Sequence, residues 1–305
     1  MTNAILRGKP DAGNPHVRFD EGEVASAKPR RGSLLYKVFT EPKKLQKWCR
    51  EQKFAGRRIA LVPTMGYLHE GHLSLIEKAK AKGADEIVVS VFVNPVQFCP
   101  GEDYARYPRD HEADLAKCRK AGATVVFFPT PASMYLPRHS VYVNEEGLSN
   151  GLCGARRPGH FRGVCTVIAK LFNLAQPDFA VFGQKDYQQA QVIRRMARDL
   201  NFDLEVVIVP IVREPSGLAR SSRNTYLSAK EREMALSISQ GLKALKPNAN
   251  LSALRAKLTS AGLVVDYVEC VDAETLAPRK RVAKGCCVLV AAYCGKTRLI
   301  DNVLI

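Results

Sequence analysis

Two histidines, His69 and His72, are the side chains whose spacing first suggests chemistry, because they lie where a strand is predicted to meet a helix. Residues 58–62 form a short apolar run with β-branched members, which predicts a strand buried on both faces. The N-terminus of the helix that follows would offer free N–H groups and the positive end of the helix dipole. Both imidazoles could then face one anion and stabilise a nucleotide during attack at its α-phosphorus. Two histidines that cap the helix at the surface are the alternative.

The spacing of the histidine pair argues against a zinc protease. That class uses His-Glu-x-x-His, which places both imidazoles on one helix face, whereas residues 69–72 have one residue fewer. The nine cysteines are scattered and form no CxxC pair, so they indicate neither a disulfide framework nor a zinc site. We therefore predict reduced cysteines and no protein side chain as a direct metal ligand.

A second turn of the same design spans residues 182–189, where Gly183 ends a predicted strand and Lys185 and Asp186 open a helix. Lys185 could neutralise phosphate charge, and Asp186 could hold a ribose hydroxyl, a metal-bound water or the helix N-terminus. Taken alone, such a pair is more often solvated surface. The carboxyl ends of parallel strands meet at one edge of a sheet, however, and both turns are predicted to lie at that edge.

Residues 217–224 supply two hydroxyls and two guanidiniums close together, among them Ser221, Ser222 and Arg223. They begin with a glycine at a predicted domain junction, which suits a flexible clamp on phosphate. An ordinary polar linker has a similar composition, so the interpretation of this segment depends on the two turns described above.

Two further segments offer groups for a small polar substrate. Asn94 and Gln97 lie just beyond a predicted strand end and could bind such a substrate through neutral hydrogen bonds, although amides in this position often cap loops. Residues 156–163 form a basic, glycine-rich helix start, from which we include Arg162 among the substrate candidates. A solvated loop is the alternative for that segment.

Strand-like and helix-like runs alternate along most of the chain and predict an α/β protein with a doubly wound, Rossmann-like parallel sheet. We predict a disordered tail over residues 1–34, this sheet domain over 35–213 and a smaller C-terminal α+β domain over 214–305. Strands are predicted at residues 36–40, 58–62, 86–93, 124–128, 141–143, 178–182, 204–209, 264–271 and 287–292. Further helices are predicted at residues 42–53, 111–121, 160–175, 188–200, 229–245 and 251–262.

The composition excludes several classes of protein. A chain of 305 residues with 46% hydrophobic content can bury a core, and its longest apolar run is far shorter than the roughly 18 residues of a membrane span. The formal charge of +16 suits polyanionic small molecules, since the basic residues are spread along the chain without the block expected of a nucleic-acid binder. The N-terminus lacks the apolar core of a secretory signal and carries too many acids for a mitochondrial presequence, which predicts a cytoplasmic protein.

Taken together, these segments resemble the pantoate–β-alanine ligase family of the His-x-Gly-His nucleotidyltransferase superfamily. The resemblance spans residues 36–302 and rests on six segments in order along the chain: residues 63–72, 92–98, 107–109, 157–164, 182–189 and 217–224. Two features depart from the family. The N-terminal tail is longer than that of bacterial members, and Arg220 stands where other members often carry an apolar residue.

The resemblance implies an ATP- and Mg²⁺-dependent ligation in two steps. The carboxylate of pantoate attacks the α-phosphorus of ATP to give pantoyl adenylate and pyrophosphate, and the amine of β-alanine then displaces AMP to give pantothenate. The resemblance also implies a homodimer formed through the N-terminal domain. Small molecules are thus the expected partners, with no nucleic acid and no membrane.

Site residues follow from the same resemblance. His69 and His72 would stabilise the pentacovalent phosphorus, with His72 as proton donor, while Lys185 and Arg223 would meet the phosphates. The implied ATP-binding set is Met65, Gly66, His69, His72, Gly183, Lys185, Asp186, Val212, Ser221, Ser222 and Arg223. Gln97 and Gln189 would hold pantoate, Gln97 also serving β-alanine. Asn94 and Arg162 are further candidates for binding these two substrates.

Two other functions stay open at this point. One is a different nucleotidyltransferase of the superfamily that stops at an adenylylated product and forms no amide. The other is a non-catalytic RNA- or DNA-binding module, suggested by the charge of +16. The binding of such a module would weaken steeply with salt.

Overall fold

A six-stranded parallel sheet forms the centre of the structure, a computed structural model that describes residues 36–305. Its strands are β1 (Lys37–Phe39), β2 (Ile59–Thr64), β3 (Glu86–Val91), β4 (Val125–Phe127), β5 (Phe179–Gly183) and β6 (Glu205–Val209), in the spatial order β1-β4-β3-β2-β5-β6. Strand β2 pairs with β3 on one side and with β5 on the other. The carboxyl ends of β2 and β5 therefore flank the topological switch point, where open α/β sheets bind ligands.

Helices cover both faces of this sheet, as its continuously apolar strands require. One face packs against α1 (Pro42–Phe54), α6 (His160–Ala175) and α7 (Tyr187–Asp199), and the other against α2 (Glu70–Ala81) and α3 (His111–Ala121). The side chains of β2 alternate between the two faces, Leu61 joining the first cluster and Ala60 and Val62 the second. Two short helices, α4 (Pro131–Met134) and α5 (Leu152–Arg156), lie between β4 and α6.

A smaller antiparallel sheet follows, formed by β7 (Val264–Asp272), β8 (Cys286–Cys294) and β9 (Thr297–Leu304). Helices α8 (Ala229–Lys243) and α9 (Leu251–Ser260) cover one of its faces, and the other face joins the hydrophobic cluster beneath the parallel sheet. Strand β9 also fixes the turn after β5, because the Asn302 amide donates hydrogen bonds to the carbonyls of Gln184 (3.0 Å) and Lys185 (3.1 Å). The small sheet thus supports a turn of the large one.

The predicted fold class is confirmed, and most predicted elements lie within a few residues of the observed ones. The strand predicted at residues 141–143 is wrong: within the described chain this segment has no partner strand, Val141 is 76% exposed, and the N–H of Val143 donates to the hydroxyl of Thr166. Its β-branched pattern therefore has no sheet edge to join.

Strand β9 was not predicted, although its alternating side chains and the Gly295-Lys296 connection from β8 are typical of a hairpin. The division into domains at residues 35–213 and 214–305 stays a prediction. The tail predicted over residues 1–34 lies outside the described residues.

Candidate active site

The histidine turn joins β2 to α2 at the switch point of the sheet. His69 is the N-cap residue of α2, and its Nδ1 accepts a hydrogen bond from the N–H of Gly71 (3.1 Å), while the Nδ1 of His72 accepts from the N–H of His69 (3.2 Å). This reciprocal pattern is a capping box in which imidazoles replace the usual hydroxyl and carboxylate. Because both Nδ1 atoms accept, each neutral ring carries its proton on Nε2. The Nε2–H groups are the donors left for a ligand, so capping and anion binding are compatible here.

Both imidazoles are neutral near pH 7. Burial, with the positive charge of Lys185 as the next cause, lowers the pKa of His69 to about 4. Burial, followed by electrostatic repulsion from His69 when that ring is protonated and from Lys185 and Lys117, holds the pKa of His72 well below its ordinary value. The ring centroids are 4.1 Å apart. The turn therefore presents two adjacent neutral N–H donors, and it does so within the field of a lysine.

Two glycines of this turn are required by close contacts. Gly66 has φ of +84°, and a Cβ there would lie 2.8 Å from the side chain of Val91. A Cβ on Gly71 would lie 2.9 Å from the ring of His69. Any larger residue at either position would displace the turn or the histidine.

A buried carboxylate on α3 holds the turn from behind. Asp114 is fully buried and accepts hydrogen bonds from the N–H groups of Tyr67 (2.8 Å) and Leu68 (2.6 Å). Burial raises the pKa of Asp114, and these two N–H groups partly offset that effect. Sequence reasoning missed Asp114, although an acid four residues before the buried Cys118 on α3 was a signal.

The second predicted turn follows β5 and brings Lys185 beside the histidines. Its Nζ lies 3.5 Å from Asp186 Oδ2, and its charge lowers the pKa of both His69 and His72. The two turns are therefore electrostatically coupled across the switch point, as expected for groups that share one anionic ligand.

The third predicted segment, residues 217–224, carries Arg223. One edge of its guanidinium is bonded to a carboxylate, and the other edge is free for a ligand. Its Nε and Nη2 donate to the carboxylate of Asp103 at 2.8 Å each, and its guanidinium lies 5.6 Å from the centroid of the Tyr107 ring. Although burial opposes the charge, Asp103 raises the pKa of Arg223. Among the hydrogen bonds of residues 36–305, the Nη1 of Arg223 makes none. Sequence reasoning did not identify Asp103, which lies 120 residues away along the chain.

The amides after β3 form a chain of hydrogen bonds. Asn94 donates to the Oε1 of Gln97 (3.0 Å) and accepts from the hydroxyl of Tyr135 (2.7 Å). Within the described structure, the Nε2 of Gln97 donates only to the sulfur of Met65 (3.2 Å), a weak acceptor. Gln97 is thus oriented on one side and available to a ligand on the other.

A buried histidine, His160, fixes the backbone at Gln97. The Nδ1 of His160 lies 2.8 Å from the carbonyl of Gln97, which can only accept, so Nδ1 carries the proton and Nε2 accepts from Arg157 (2.9 Å). Arg157 in turn forms a bidentate pair with Glu102. Burial, with the charge of Arg157 as the next cause, lowers the pKa of His160 to about 4. This supporting role was not predicted.

A cavity of about 190 Å³ brings most of the predicted groups together. The predicted residues that line it are Met65, His69, His72, Asn94, Gln97, Gly183, Lys185, Asp186, Gln189, Val212, Ser221, Ser222 and Arg223. Its other wall is apolar and includes Phe92, Val164, Val167, Ile168 and Leu171. A neighbouring cleft of about 820 Å³ on the side of the small sheet shares Lys185, Asp186 and Arg223 with it.

Two predicted residues do not line this cavity. Gly66 belongs to the histidine turn, but a Cβ there would face Val91 and Asp114, and the residue does not line the cavity. Arg162 is exposed, and its guanidinium lies 4.6 Å from the centroid of the Tyr142 ring. The position of Arg162 gives no support to its predicted role in substrate binding.

An open parallel sheet with a His-x-Gly-His turn at its switch point defines an α/β protein of the His-x-Gly-His nucleotidyltransferase class. A family model described as pantoate-beta-alanine ligase matches residues 37–304. The pantothenate synthetase of Myxococcus xanthus is 53% identical, with 84% of this chain and 91% of that protein covered. That of Thermotoga neapolitana is 50% identical, with 89% and 99% covered. The chain belongs to the pantoate–β-alanine ligase family.

Solved structures of the family have the same fold. Pantothenate synthetase from Thermus thermophilus matches with a TM-score of 0.79 and 42% identity over 88% of this chain and 98% of that one. Pantoate-beta-alanine ligase from Francisella tularensis, complexed with beta-gamma ATP and beta-alanine, matches with a TM-score of 0.78 and 33% identity over 88% and 97%.

Proposed function

We propose that this protein is a pantothenate synthetase, which joins pantoate to β-alanine through a pantoyl adenylate and converts ATP to AMP and pyrophosphate. The observation that carries the proposal is the cavity at the switch point, within a chain of this family. One end of the cavity holds neutral histidine donors with Lys185 and Arg223, and the other wall is apolar with an available Gln97 amide. That division suits a branched acid held beside the phosphates of a nucleotide.

In the first step a carboxylate oxygen of pantoate bonds to the α-phosphorus, and the bond from that phosphorus to pyrophosphate breaks. Negative charge builds on the equatorial oxygens, where the Nε2–H groups of His69 and His72 and the cations Lys185 and Arg223 can stabilise it. No protein nucleophile is needed. The apolar wall accommodates the two methyl groups of pantoate, while Gln97 and Gln189 hold its polar atoms.

In the second step the amine of β-alanine bonds to the acyl carbon of the adenylate. The carbon–oxygen bond to the phosphate then breaks, AMP leaves with the electron pair, and the new amide nitrogen loses a proton. Because the acid stays in the same wall of the cavity through both steps, the protein contributes mainly position.

Mg²⁺ is the ion that we propose to accompany ATP. Among residues 36–305, no group of three or more His, Cys, Asp or Glu side chains is placed to hold a metal. Such a lining fits an ion that the nucleotide brings with it. Mg²⁺ keeps several of its waters and is usually bound by substrate phosphates together with one or two carboxylates. Asp186, the carboxylate that lines the cavity, would meet its water shell. Bound there, Mg²⁺ would neutralise phosphate charge.

A homodimer in the cytoplasm completes the proposal. Residues 136–143 expose Leu136 (68%) and Val141 (76%) on the sheet domain, and the β-branched segment there has no partner strand in the described chain. A second copy could supply one by antiparallel pairing about a twofold axis. The nine cysteines are free, which suits a reducing compartment; recovery of the protein in an oxidising compartment on cell fractionation would contradict it. In the described chain, no helix combines the length and apolarity that crossing a bilayer requires.

The proposed function is tested by incubating the purified protein with ATP, Mg²⁺, pantoate and β-alanine. AMP, pyrophosphate and pantothenate should accumulate only when both the acid and the amine are present. Pyrophosphate turnover that does not depend on β-alanine, with no amide formed, would support the adenylylating alternative instead. No AMP release under any of these conditions would exclude the ligase.

A pair of histidine variants assigns the reaction to the cavity. His72→Ala should lower the rate of adenylate formation about 10²- to 10³-fold while weakening ATP binding much less, because the Nε2–H acts on developing charge. His111→Ala, at the N-terminus of α3 beside Phe128, is the matched control and should stay close to wild type. Equal losses of binding and rate in His72→Ala would indicate a ground-state contact.

A further inference from the structure

Ser90, near the end of β3, carries a buried hydroxyl that the fold leaves without a partner. The residue is 1% exposed, and its Oγ makes no hydrogen bond within the described chain. Its carbonyl, in contrast, accepts a hydrogen bond from the hydroxyl of Thr64 (2.7 Å). A buried hydroxyl without a partner costs folding free energy, so such groups call for an explanation, and a ligand that completes the bond is one.

The alternation of β3 places this side chain on the face of the strand that borders the cavity. Ser90 lies on the same face of the strand as Val88 and Phe92, which belong to the hydrophobic cluster covered by α6. Ser90 lines the cavity of about 190 Å³ together with Phe92, with Pro63 on the neighbouring strand and with the apolar side chains of α6. The hydroxyl is therefore a polar group set in an otherwise apolar wall.

We propose that the Oγ of Ser90 hydrogen-bonds a hydroxyl of the acid substrate and makes the site selective for hydroxylated acids. This inference rests on the proposed function. Pantoate carries two hydroxyl groups beside its two methyl groups, which matches a hydroxyl surrounded by valine, isoleucine, leucine and phenylalanine. A wholly apolar wall would accept an acid with hydrogen in place of that hydroxyl, whereas an unpaired Ser90 disfavours it. Ser90 is thus a specificity residue for the acid. The amides of Gln97 and Gln189 make the other polar contacts with that acid.

The test compares Ser90→Ala with Ser239→Ala, a control that removes another buried serine hydroxyl, one bonded to a carbonyl within α8. Ser90→Ala should raise KM for pantoate about threefold to tenfold, as expected for one neutral hydrogen bond, and leave KM for ATP within twofold. The melting temperature of Ser90→Ala should not fall, because the hydroxyl it removes has no protein partner. Ser239→Ala should leave both KM values unchanged.

Two acid analogues separate recognition of the hydroxyl from packing. The first, 2-hydroxy-3,3-dimethylbutanoate, lacks the terminal hydroxyl of pantoate, and the second, 4-hydroxy-3,3-dimethylbutanoate, lacks the other. Ser90 contacts one of the two hydroxyls of pantoate. On the analogue that lacks that hydroxyl, Ser90→Ala should no longer raise KM. An equal penalty on pantoate and both analogues, or no penalty on pantoate, would overturn the assignment of Ser90 while AMP release by wild type upheld the ligase. Failure of the wild-type protein to release AMP with pantoate would overturn the proposed function and the Ser90 assignment with it.

Discussion

Imidazole is suited to the first turn of α2 because it has two nitrogens with separate tasks. An ordinary capping box uses a hydroxyl and a carboxylate, whose oxygens satisfy backbone N–H groups, and the carboxylate repels an anion. In His69 and His72 the Nδ1 atoms satisfy the backbone, and the Nε2–H groups remain as donors. Burial keeps both rings neutral, so each ring carries a single proton. Because each Nδ1 accepts a hydrogen bond, that proton lies on Nε2. One residue type therefore meets the structural and the chemical requirement together.

His160 gives a pH dependence at the residue scale. Its pKa is about 4 in the folded protein and about 6.5 when exposed, so between these values the unfolded chain binds a proton that the native state does not. The free energy of unfolding should therefore fall as the pH is lowered through 6.5 toward 4. At pH 5, His160 should have reduced it by about 2 kcal/mol relative to neutral pH. His160→Asn keeps a donor for the carbonyl of Gln97 and removes this titration.

Urea unfolding at about pH 7.5 and about pH 5 measures the effect. The loss of stability between the two conditions should be about 2 kcal/mol smaller in His160→Asn than in wild type. An identical loss in both proteins would show that His160 does not hold a depressed pKa. The absolute stability of the variant does not enter this comparison, since only the difference between the two pH values is used.

At the scale of elements, the active turns are held by parts of the chain that are remote in sequence. Asp114 on α3 fixes the backbone before His69, and Asn302 on β9 fixes the turn that carries Lys185. Asp103, in the loop after β3, fixes Arg223. Each of the three turns predicted to bind phosphate therefore depends on one polar side chain supplied from elsewhere.

Asp114→Ala tests this arrangement against Asp110→Ala on the same helix. Asp114→Ala leaves the buried N–H of Leu68 and the partly buried N–H of Tyr67 without this acceptor and should cost about 2 to 3 kcal/mol of stability, with a large fall in kcat as the histidine turn loses its support. Asp110 is the N-cap of α3, so its replacement should cost about 1 kcal/mol and leave kcat close to wild type. Denaturant unfolding and steady-state rates measure both. Equal kcat values in the two variants would show that the turn keeps its geometry without Asp114.

The turns themselves were predictable because their signals are local. A buried apolar run followed by glycine and polar residues marks a strand end and a helix start, and this pattern located His69, Lys185 and their neighbours correctly. The partners of these residues were not predictable, because an ion pair such as Asp103 with Arg223 joins positions 120 residues apart and leaves no periodic pattern. The strand prediction for residues 141–143 was wrong for a related reason. Their β-branched pattern is a local signal, and the described chain has no strand with which they pair.

At the scale of the whole molecule, that exposed segment predicts how the protein associates. Val141→Asp should convert the proposed homodimer to a monomer, because a charge would be placed in an apolar pairing surface. Val264→Asp is the matched control, since Val264 is also exposed (69%) but lies on β7 of the small sheet. Sedimentation velocity distinguishes the two outcomes. A wild-type monomer, or a Val141→Asp dimer, would contradict the proposed interface.

The contact between Asn302 and the turn of Lys185 has a consequence for synthesis of the chain. Strand β9 is the last of the nine strands in the described structure to emerge during translation, and yet it braces the turn that follows β5 of the parallel sheet. A ribosome-bound chain arrested before residue 297 would have all six parallel strands and still lack this brace. Such a chain should turn over no ATP, and so premature products would not consume the nucleotide. Catalytic competence would then require that β9 has left the ribosome and paired with β8.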